Sequence, residues 1–155
     1  MDFKIIGDVD YNTFHALLDP YYRDGEDEDT PQDQIDGFIQ RLFNMVQEEN
    51  INCRLIAADG ENIGFVLWAI DTEQFDFSEI PGMGTILEIG IAKPYRRLGV
   101  GAKIVQYVEG QLRHSGMGQC YVSAYGPAQE FWKHCGYQFQ NANANNGLPI
   151  MVKCL

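Results

Sequence analysis

Two arginines and two glycines lie close together in RRLGVG, residues 96–101. The pattern predicts that a helix begins at about Gly99, although glycine in a helix costs about 1 kcal/mol relative to alanine. The first amides of a helix lack internal acceptors and carry partial positive charge, and small residues let an anion approach them. The stretch therefore predicts a phosphate site to which Arg96 and Arg97 add charge. A plain glycine-rich turn is the alternative.

Two familiar phosphate motifs do not fit this stretch. The dinucleotide fingerprint G-x-G-x-x-G requires a third glycine, and Ile104 occupies that position. A Walker A loop requires Gly-Lys followed by serine or threonine, whereas Gly101 is followed by alanine and then lysine. The remaining interpretation is a strand, a loop and a helix whose first amides point at an anion.

The elements that must position this loop follow from the spacing of apolar residues. Residues 35–46 carry the strongest helical pattern, and residues 11–18 carry a weaker one. Two apolar runs flank Asp59-Gly60 and predict a hairpin over residues 53–71. A strand at 85–92 and a helix at 99–115 flank the loop itself. The predicted order is β-α-α-β-β-β-α-β-α-β-β, a single mixed α/β domain over residues 1–155.

The charge of the chain is unevenly distributed. The formal net charge is -11, which argues against nucleic acid as a partner. Residues 1–92 hold 20 acidic and 4 basic side chains, whereas residues 93–155 hold 2 acidic and 7 basic ones. We therefore expect a cation to favour the first part and an anion the second. An acidic surface that only aids solubility is the alternative.

Composition also limits the location and the metal chemistry. The sequence contains no apolar run long enough to span a bilayer and no secretory signal pattern, so we expect a cytoplasmic protein without a membrane partner. The four cysteines are widely scattered and form no CxxC pair. We therefore expect reduced thiols and no metal site.

Two motifs resemble those of one enzyme superfamily. The pattern R-x-x-G-x-G, beginning at Arg96, resembles the acetyl-CoA pyrophosphate loop of the GNAT superfamily of N-acetyltransferases, and LEIGIAKPY before it resembles that family's fourth strand. The segment AQEFWKHCGYQF resembles the second family signature, A-x-x-x-Y-x-x-x-G-F, with Ala128, Trp132, Gly136 and Tyr137 in register. The resemblance implies a mixed sheet that is splayed between strands four and five, and acetyl-CoA (coenzyme A) as the cofactor.

The resemblance also implies which residues hold the cofactor. The pantetheine arm would pair with the fourth strand like an added strand, and the pyrophosphate would lie on the amides of residues 97–102. The implied cofactor-binding residues are Ile89, Ile91, Arg96, Arg97, Leu98, Gly99, Val100, Gly101, Ala102, Tyr125 and Phe131.

The catalytic positions depart from the family pattern. Trp132 stands where the family usually has the tyrosine that protonates the departing thiolate, and an indole N–H is no general acid near neutral pH. Tyr125, where the family often has asparagine, is a candidate substitute; a packing tyrosine at a strand end is the alternative. Because acetyl transfer requires a neutral amine, a base is needed as well. Glu88, in an otherwise apolar strand, is the best candidate, and an exposed glutamate is the alternative.

The connector before the fourth strand carries further carboxylates, Asp71, Glu73, Asp76 and Glu79, which could hold a cationic substrate or solvate a loop. The resulting hypothesis is an acetyl-CoA-dependent N-acetyltransferase acting on a primary amine, with a small cationic amine as its partner; a homodimer is allowed. Two alternatives remain open. One is a non-catalytic acyl-CoA-binding or partner-binding module of the same fold, and the other is a protein N-acetyltransferase.

Overall fold

Strands and helices follow one another in the order that the sequence predicts. The computed structural model describes residues 3–25 and 29–155. Over these residues the strands are β1 (Lys4–Ile6), β2 (Asn52–Ala58), β3 (Glu61–Ile70), β4 (Gly84–Ile91), β5 (Gln119–Ser123), β6 (Gln138–Asn143) and β7 (Pro149–Cys154). The α-helices are α1 (Tyr11–Arg23), α2 (Gln32–Gln47), α3 (Val100–His114) and α4 (Gln129–His134), and short 3-10 helices cover Lys93–Tyr95 and Gly126–Ala128.

The strands form one mixed sheet in the order β1-β2-β3-β4-β5-β7-β6. Within the described residues the chain packs as two compact units, Met1–Leu67 with Glu88–Leu98, and Trp68–Leu87 with Gly99–Leu155. We call these the first unit and the second unit. Each combines two separate stretches of chain, so the division does not fall at one point of the sequence. The single-domain interpretation stays a prediction.

The first unit contains the hairpin that the sequence predicts. Strand β1 pairs antiparallel with β2, with Ile5 opposite Ile56. Between β2 and β3, Asp59 and Gly60 have φ angles of 53° and 77°. Two successive positive φ angles define a type I′ turn, whose twist matches that of antiparallel strands. The Asp59-Gly60 signal therefore identified the turn correctly.

Helix α1 is longer than its apolar pattern predicts. Its N-cap is Asp10, whose carboxylate accepts a bond from Thr13 N at 2.8 Å. Phe14, Leu18 and Tyr22 are buried at four-residue spacing, so one face of the helix lies in the core. The helix continues through Pro20 to Arg23, one and a half turns beyond the predicted end at residue 18. Helix α2 buries Ile35, Ile39, Leu42 and Met45 in the same manner.

In the second unit the ladder between β4 and β5 is short. It is parallel and pairs Gly84 with Cys120 and Thr85 with Tyr121, whereas β4 continues to Ile91. A ladder of two residue pairs at the start of β4 is the arrangement that a splayed fourth and fifth strand requires. The other neighbour of β5 is β7, which pairs antiparallel with it from Gln119–Cys154 to Ser123–Ile150.

Strand β6 is the last strand in the order, and it is irregular. All six of its side chains are exposed. It pairs antiparallel with β7, but the register shifts between Phe139 and Asn143. Asn141, within the shifted stretch, has a φ of 55°, a left-handed conformation typical of a bulge. The strand therefore bends away from a regular ladder.

None of the helices in the described part of the chain is long and apolar enough to cross a membrane. All four cysteines are free thiols.

Candidate active site

The loop at residues 96–102 has the backbone of an anion site. Arg97 and Gly99 have positive φ angles of 63° and 80°, and Gly99 is the N-cap of α3. Glycine adopts that conformation readily, while other residues are strained in it. Among the described residues, no atom lies within 4 Å of the place where a Cβ on Gly99 would lie. The missing side chain therefore leaves open space at the start of the helix.

The amides at the start of α3 are available to an external acceptor. The first helical bond runs from Lys103 N to the Gly99 oxygen at 3.3 Å, so residues 100–102 have no acceptor within the helix. No side chain of the described residues caps this helix start. Residues 96–99 are exposed, whereas Val100 is buried and anchors the helix. The predicted phosphate-binding groups are therefore backbone groups at an exposed helix end.

Arg96 ties this loop to the end of β4. Its Nε donates to the Ile91 carbonyl oxygen at 2.7 Å, and the amide of Ala92 donates to the Ile63 carbonyl oxygen at 2.7 Å. The sequence predicted a purely electrostatic role for Arg96, and the structure adds this positional one. Ile91 was predicted to pair with a cofactor arm through its backbone, and Arg96 already uses part of the accepting capacity of its carbonyl group.

Glu88 lies half-buried on β4, and Tyr21 of α1 donates a hydrogen bond to its Oε2. The alternative of an exposed glutamate on a half-solvated strand therefore does not describe it. Ile89, predicted to contact the cofactor, is also half-buried. Sequence analysis did not identify Tyr21, because its helix was predicted to end at residue 18.

Asp71, one of the connector carboxylates, is 1% exposed and organises the connector. It accepts bonds from the Ser78 and Tyr121 hydroxyls at 2.5 and 2.6 Å, and from the amides of Glu79 and Ile80 at 2.8 and 2.9 Å. Burial raises the pKa of Asp71, but these four donors outweigh it and hold the pKa below the ordinary 3.8. Asp71 is therefore a structural anchor.

The other three connector carboxylates are nearer the surface. Glu79 is half-buried, and its Oε1 accepts a bond from the amide of Asn145 at 2.8 Å. Glu73 and Asp76 are exposed. Of the four carboxylates, these two are the ones placed where a cation in solution can reach them.

We expect Asp71→Ala to lower the free energy of unfolding by about 3 kcal/mol, because it strips a buried hydroxyl and two amides of a charged acceptor. Urea unfolding of both proteins at about pH 7 measures the change. Glu73→Ala, on the exposed part of the connector, is the matched control and should change the free energy of unfolding by less than about 0.5 kcal/mol. Equal effects of the two changes would contradict the role of Asp71.

The hydrogen bonds of Asp71 also predict how the free energy of unfolding depends on pH in acid solution. Because the folded-state pKa of Asp71 is lowered, its contribution to stability is present above the unfolded pKa and is lost as pH falls through the folded value. The stability difference between the wild type and Asp71→Ala should therefore shrink below about pH 3.8. A difference that stays constant from about pH 7 to pH 3 would contradict this assignment.

The second motif closes helix α4. Gly136 has a φ of 96°, its amide donates to the Lys133 carbonyl oxygen, and the amide of Tyr137 donates to the Trp132 carbonyl oxygen, each at 3.0 Å. These two bonds define a Schellman motif, in which the residues at the positions of Trp132 and Tyr137 usually pack together. Their ring centroids are 5.2 Å apart. The spacing of the motif is therefore explained by helix termination.

Trp132 is a core residue. It is 5% exposed and packs edge-on against Phe131 and Tyr137. The Tyr137 hydroxyl donates to Glu109 at 3.0 Å, and Lys153 donates to the same carboxylate at 3.0 Å. Burial, which has the largest effect, and the Glu109 carboxylate both raise the pKa of Tyr137 far above its ordinary value. The hydrogen bond to Glu109 therefore fixes Tyr137, against which the Trp132 indole packs.

Tyr125 and Phe131 differ in exposure. Tyr125 is 38% exposed and lies just after β5, where its carbonyl oxygen accepts a bond from the amide of Ala128 at 2.8 Å. Phe131 is half-buried on α4. Part of Tyr125 is therefore accessible to solvent, and its catalytic role stays a prediction.

A cluster that the sequence did not predict joins α1 and α2. His15, Asp19 and Asp36 offer ligand atoms within 4.8 Å of one another. Arg23 pairs with Asp19 at 2.7 Å, and His15 pairs with Asp36 at 2.8 Å. With Arg23 on Asp19 and the His15 ring on Asp36, both carboxylates have partners within the protein, and the cluster is explained as a polar link between the helices.

Comparison with known proteins gives one family. The model of the Acetyltransferase (GNAT) family matches residues 11–137. No curated protein sequence matches the chain.

Solved structures of similar fold span the whole chain. PaiA N-acetyltransferase from Thermoplasma acidophilum, in complex with coenzyme A, is 16% identical over 100% of both chains with a TM-score of 0.76. A GNAT-family acetyltransferase from Staphylococcus aureus Mu50 is 11% identical over 99% of both, with a TM-score of 0.77. Aminoglycoside acetyltransferase AAC(6')-Ib, in complex with coenzyme A and kanamycin, is 13% identical over 99% of this chain and 95% of its own, with a TM-score of 0.72. At these identities the similarity concerns the fold.

Proposed function

Because this chain belongs to the acetyltransferase (GNAT) family, we propose that it transfers an acetyl group from acetyl-CoA to a primary amine, and that the acceptor is a small cationic amine. The family match confirms the predicted superfamily and enzyme class. The acceptor and the individual site residues are proposals that follow from the geometry.

The observation that carries the proposal is the start of α3. The amides of residues 100–102, which have no acceptor within the helix, the open space at Gly99 and the arginines before it suit a diphosphate, which needs several donors and positive charge. Coenzyme A carries such a diphosphate, and the predicted cofactor agrees with the coenzyme A and acetyl-CoA found in related structures. Glu88 supplies a carboxylate on β4, and the Tyr21 hydroxyl donates a hydrogen bond to it.

The reaction needs a base that takes the extra proton of the ammonium and an acid that protonates the sulfur. Glu88, directly or through water, takes a proton from the ammonium, and the neutral nitrogen attacks the thioester carbonyl carbon. The C–S bond then breaks, and the nitrogen gives up its remaining extra proton to solvent, which leaves the amide and the thiolate of coenzyme A. Because a thiolate is a tolerable leaving group, the second proton transfer is less demanding than the first.

Tyr125 is the proposed donor of that second proton. Its hydroxyl belongs to an exposed side chain, whereas Trp132, at the position usual for the acid, is buried and has no acidic proton near neutral pH. Solvent is the alternative donor. A reaction without a strong general acid would depend mainly on the base.

The purified chain, acetyl-CoA and a panel of amines test the proposal through release of free thiol. We expect turnover with di- and polyamines or amino sugars. The known complex of a related aminoglycoside acetyltransferase with kanamycin makes amino sugars a sensible part of the panel. Binding of coenzyme A without turnover on any amine or peptide would support the non-catalytic alternative, and turnover only on peptides would support a protein N-acetyltransferase.

We expect the acceptor KM to rise with salt. The excess of acidic side chains in residues 1–92 would hold a cation by long-range attraction, which salt screens. A diamine and a monoamine of the same length should be compared between about 0.05 and 0.5 M salt, with acetyl-CoA saturating. The KM of the diamine should rise more steeply. A best acceptor that is neutral or anionic at pH 7 would refute the proposed substrate class.

A cytoplasmic location and a homodimer stay predictions.

A further inference from the structure

We propose that Tyr21 is a positioning residue that orients the Glu88 carboxylate for proton transfer from the amine. The inference rests on the proposed function, since it concerns the base of that reaction. It adds a residue from the last turn of α1, 67 positions away in the sequence, to a site that the motifs place around β4 and α3.

The contact is built into the packing of the first unit. The Tyr21 hydroxyl donates to Glu88 Oε2, and the pair is partly buried. The Tyr21 ring stands edge-on to Phe65 of β3, with centroids 5.3 Å apart and an interplanar angle of 87°. It is also edge-on to Tyr22, at 5.2 Å. Contacts with the Phe65 and Tyr22 rings restrict the rotation of the Tyr21 ring, so its hydroxyl keeps one direction toward Glu88.

Gly90 provides the room for this ring. A Cβ at Gly90 would lie 2.5 Å from Phe65 Cε1, closer than real contacts allow, and 3.1 Å from Tyr21 Cδ2, so that the Tyr21 ring would have to shift slightly. Gly90 is two residues from Glu88, and residues at that spacing lie on the same face of a strand. The absence of a side chain on β4 therefore lets the Tyr21 ring reach across this face to the carboxylate.

A carboxylate accepts a proton efficiently only when it is held at the right distance and in the right direction. A flexible glutamate would sample several rotamers, whereas proton transfer requires a heavy-atom separation of about 2.6–3.2 Å or one intervening water. The phenol limits those rotamers without contacting the substrate. Its loss should therefore lower kcat and leave the KM of acetyl-CoA unchanged.

A double-mutant cycle on the full chain tests this role. Tyr21→Phe keeps the ring and removes the hydroxyl, and we expect kcat to fall about tenfold with the KM of acetyl-CoA unchanged. In the Glu88→Gln background the same change should have no further effect, because the residue acts through the carboxylate. Tyr11→Phe, on the same helix but packed against His15 and Phe43, is the control and should leave kcat unchanged.

The outcomes separate this inference from the proposed function. An equal loss of kcat in both backgrounds would show a general structural role and overturn the inference. Unchanged kcat in Tyr21→Phe, in a protein where Glu88→Gln lowers it, would overturn the inference alone. No thiol release by the wild type with any amine would overturn the proposed function, and the inference with it. Thermal unfolding of each variant verifies that the fold persists.

Discussion

Gly101→Asp should lower the affinity for coenzyme A by about 100-fold or more, which corresponds to about 2.7 kcal/mol of binding free energy. The aspartate would place a carboxylate among the unpaired amides at the start of α3, where the diphosphate is proposed to bind. Two like charges in one site repel each other, so the carboxylate opposes binding of the diphosphate. The fold should persist, because a negative charge in the first turn interacts favourably with the helix dipole.

Titration calorimetry with coenzyme A measures this effect, and Gly110→Asp is the matched control. Gly110 lies in the same helix, and a Cβ there meets no atom of the described residues within 4 Å, but it lies two and a half turns from the proposed site. The Gly110→Asp variant should therefore bind coenzyme A with the affinity of the wild type. Unchanged affinity in folded Gly101→Asp would remove the diphosphate assignment.

Glu88→Gln should lower kcat about 100-fold or more, since general base catalysis typically contributes at least that factor. Glutamine has nearly the same size as glutamate and can accept the Tyr21 hydroxyl bond through its carbonyl oxygen. The substitution therefore removes the basic oxygen without disturbing the packing. The affinity for acetyl-CoA should remain close to that of the wild type, because the diphosphate is proposed to lie on the helix amides.

Steady-state kinetics with the best amine, together with calorimetry, measures these two quantities. Tyr125→Phe is the informative comparison, because it removes the proposed acid instead of the base. We expect a smaller loss of kcat in Tyr125→Phe than in Glu88→Gln. If Glu88→Gln retained full kcat while Tyr125→Phe lost it, the roles would be reversed, and Tyr125 would be the residue that limits the reaction.

The features that were predicted correctly depend on local signals. The element order came from apolar spacing and turn residues, which act within a few positions of the chain. Asp59-Gly60 required positive φ angles, and glycine or aspartate supplies them at little cost. The helix start at Gly99 was likewise predicted from two glycines beside two arginines, a pattern that leaves room for an anion at the first amides. Each of these inferences uses the physical chemistry of one or two neighbouring residues.

The contacts that sequence analysis missed are long-range. Proline usually ends or bends a helix because its ring lacks an N–H. The apolar pattern therefore did not predict the last turn of α1, which includes Pro20 and Tyr21. No spacing rule pairs Tyr21 with Glu88. Asp71 was predicted to face a cation or solvent, but its four donors come from Ser78, Tyr121 and two connector amides. Of these contacts, the one with Ser78 could have been predicted, because Ser78 and Asp71 lie seven residues apart in the same connector.

The irregular strand β6 has a consequence for the protein in concentrated solution. An outermost strand with six exposed residues is a template on which strands of other molecules can assemble into filaments. The left-handed Asn141 and the shifted register around it break that template into two short pieces. A strand of a neighbouring molecule that paired with β6 could form only a few backbone hydrogen bonds before the two strands lost register. The kink therefore protects the chain against ordered self-assembly in a crowded environment, and straightening it would be expected to make the protein prone to fibre formation.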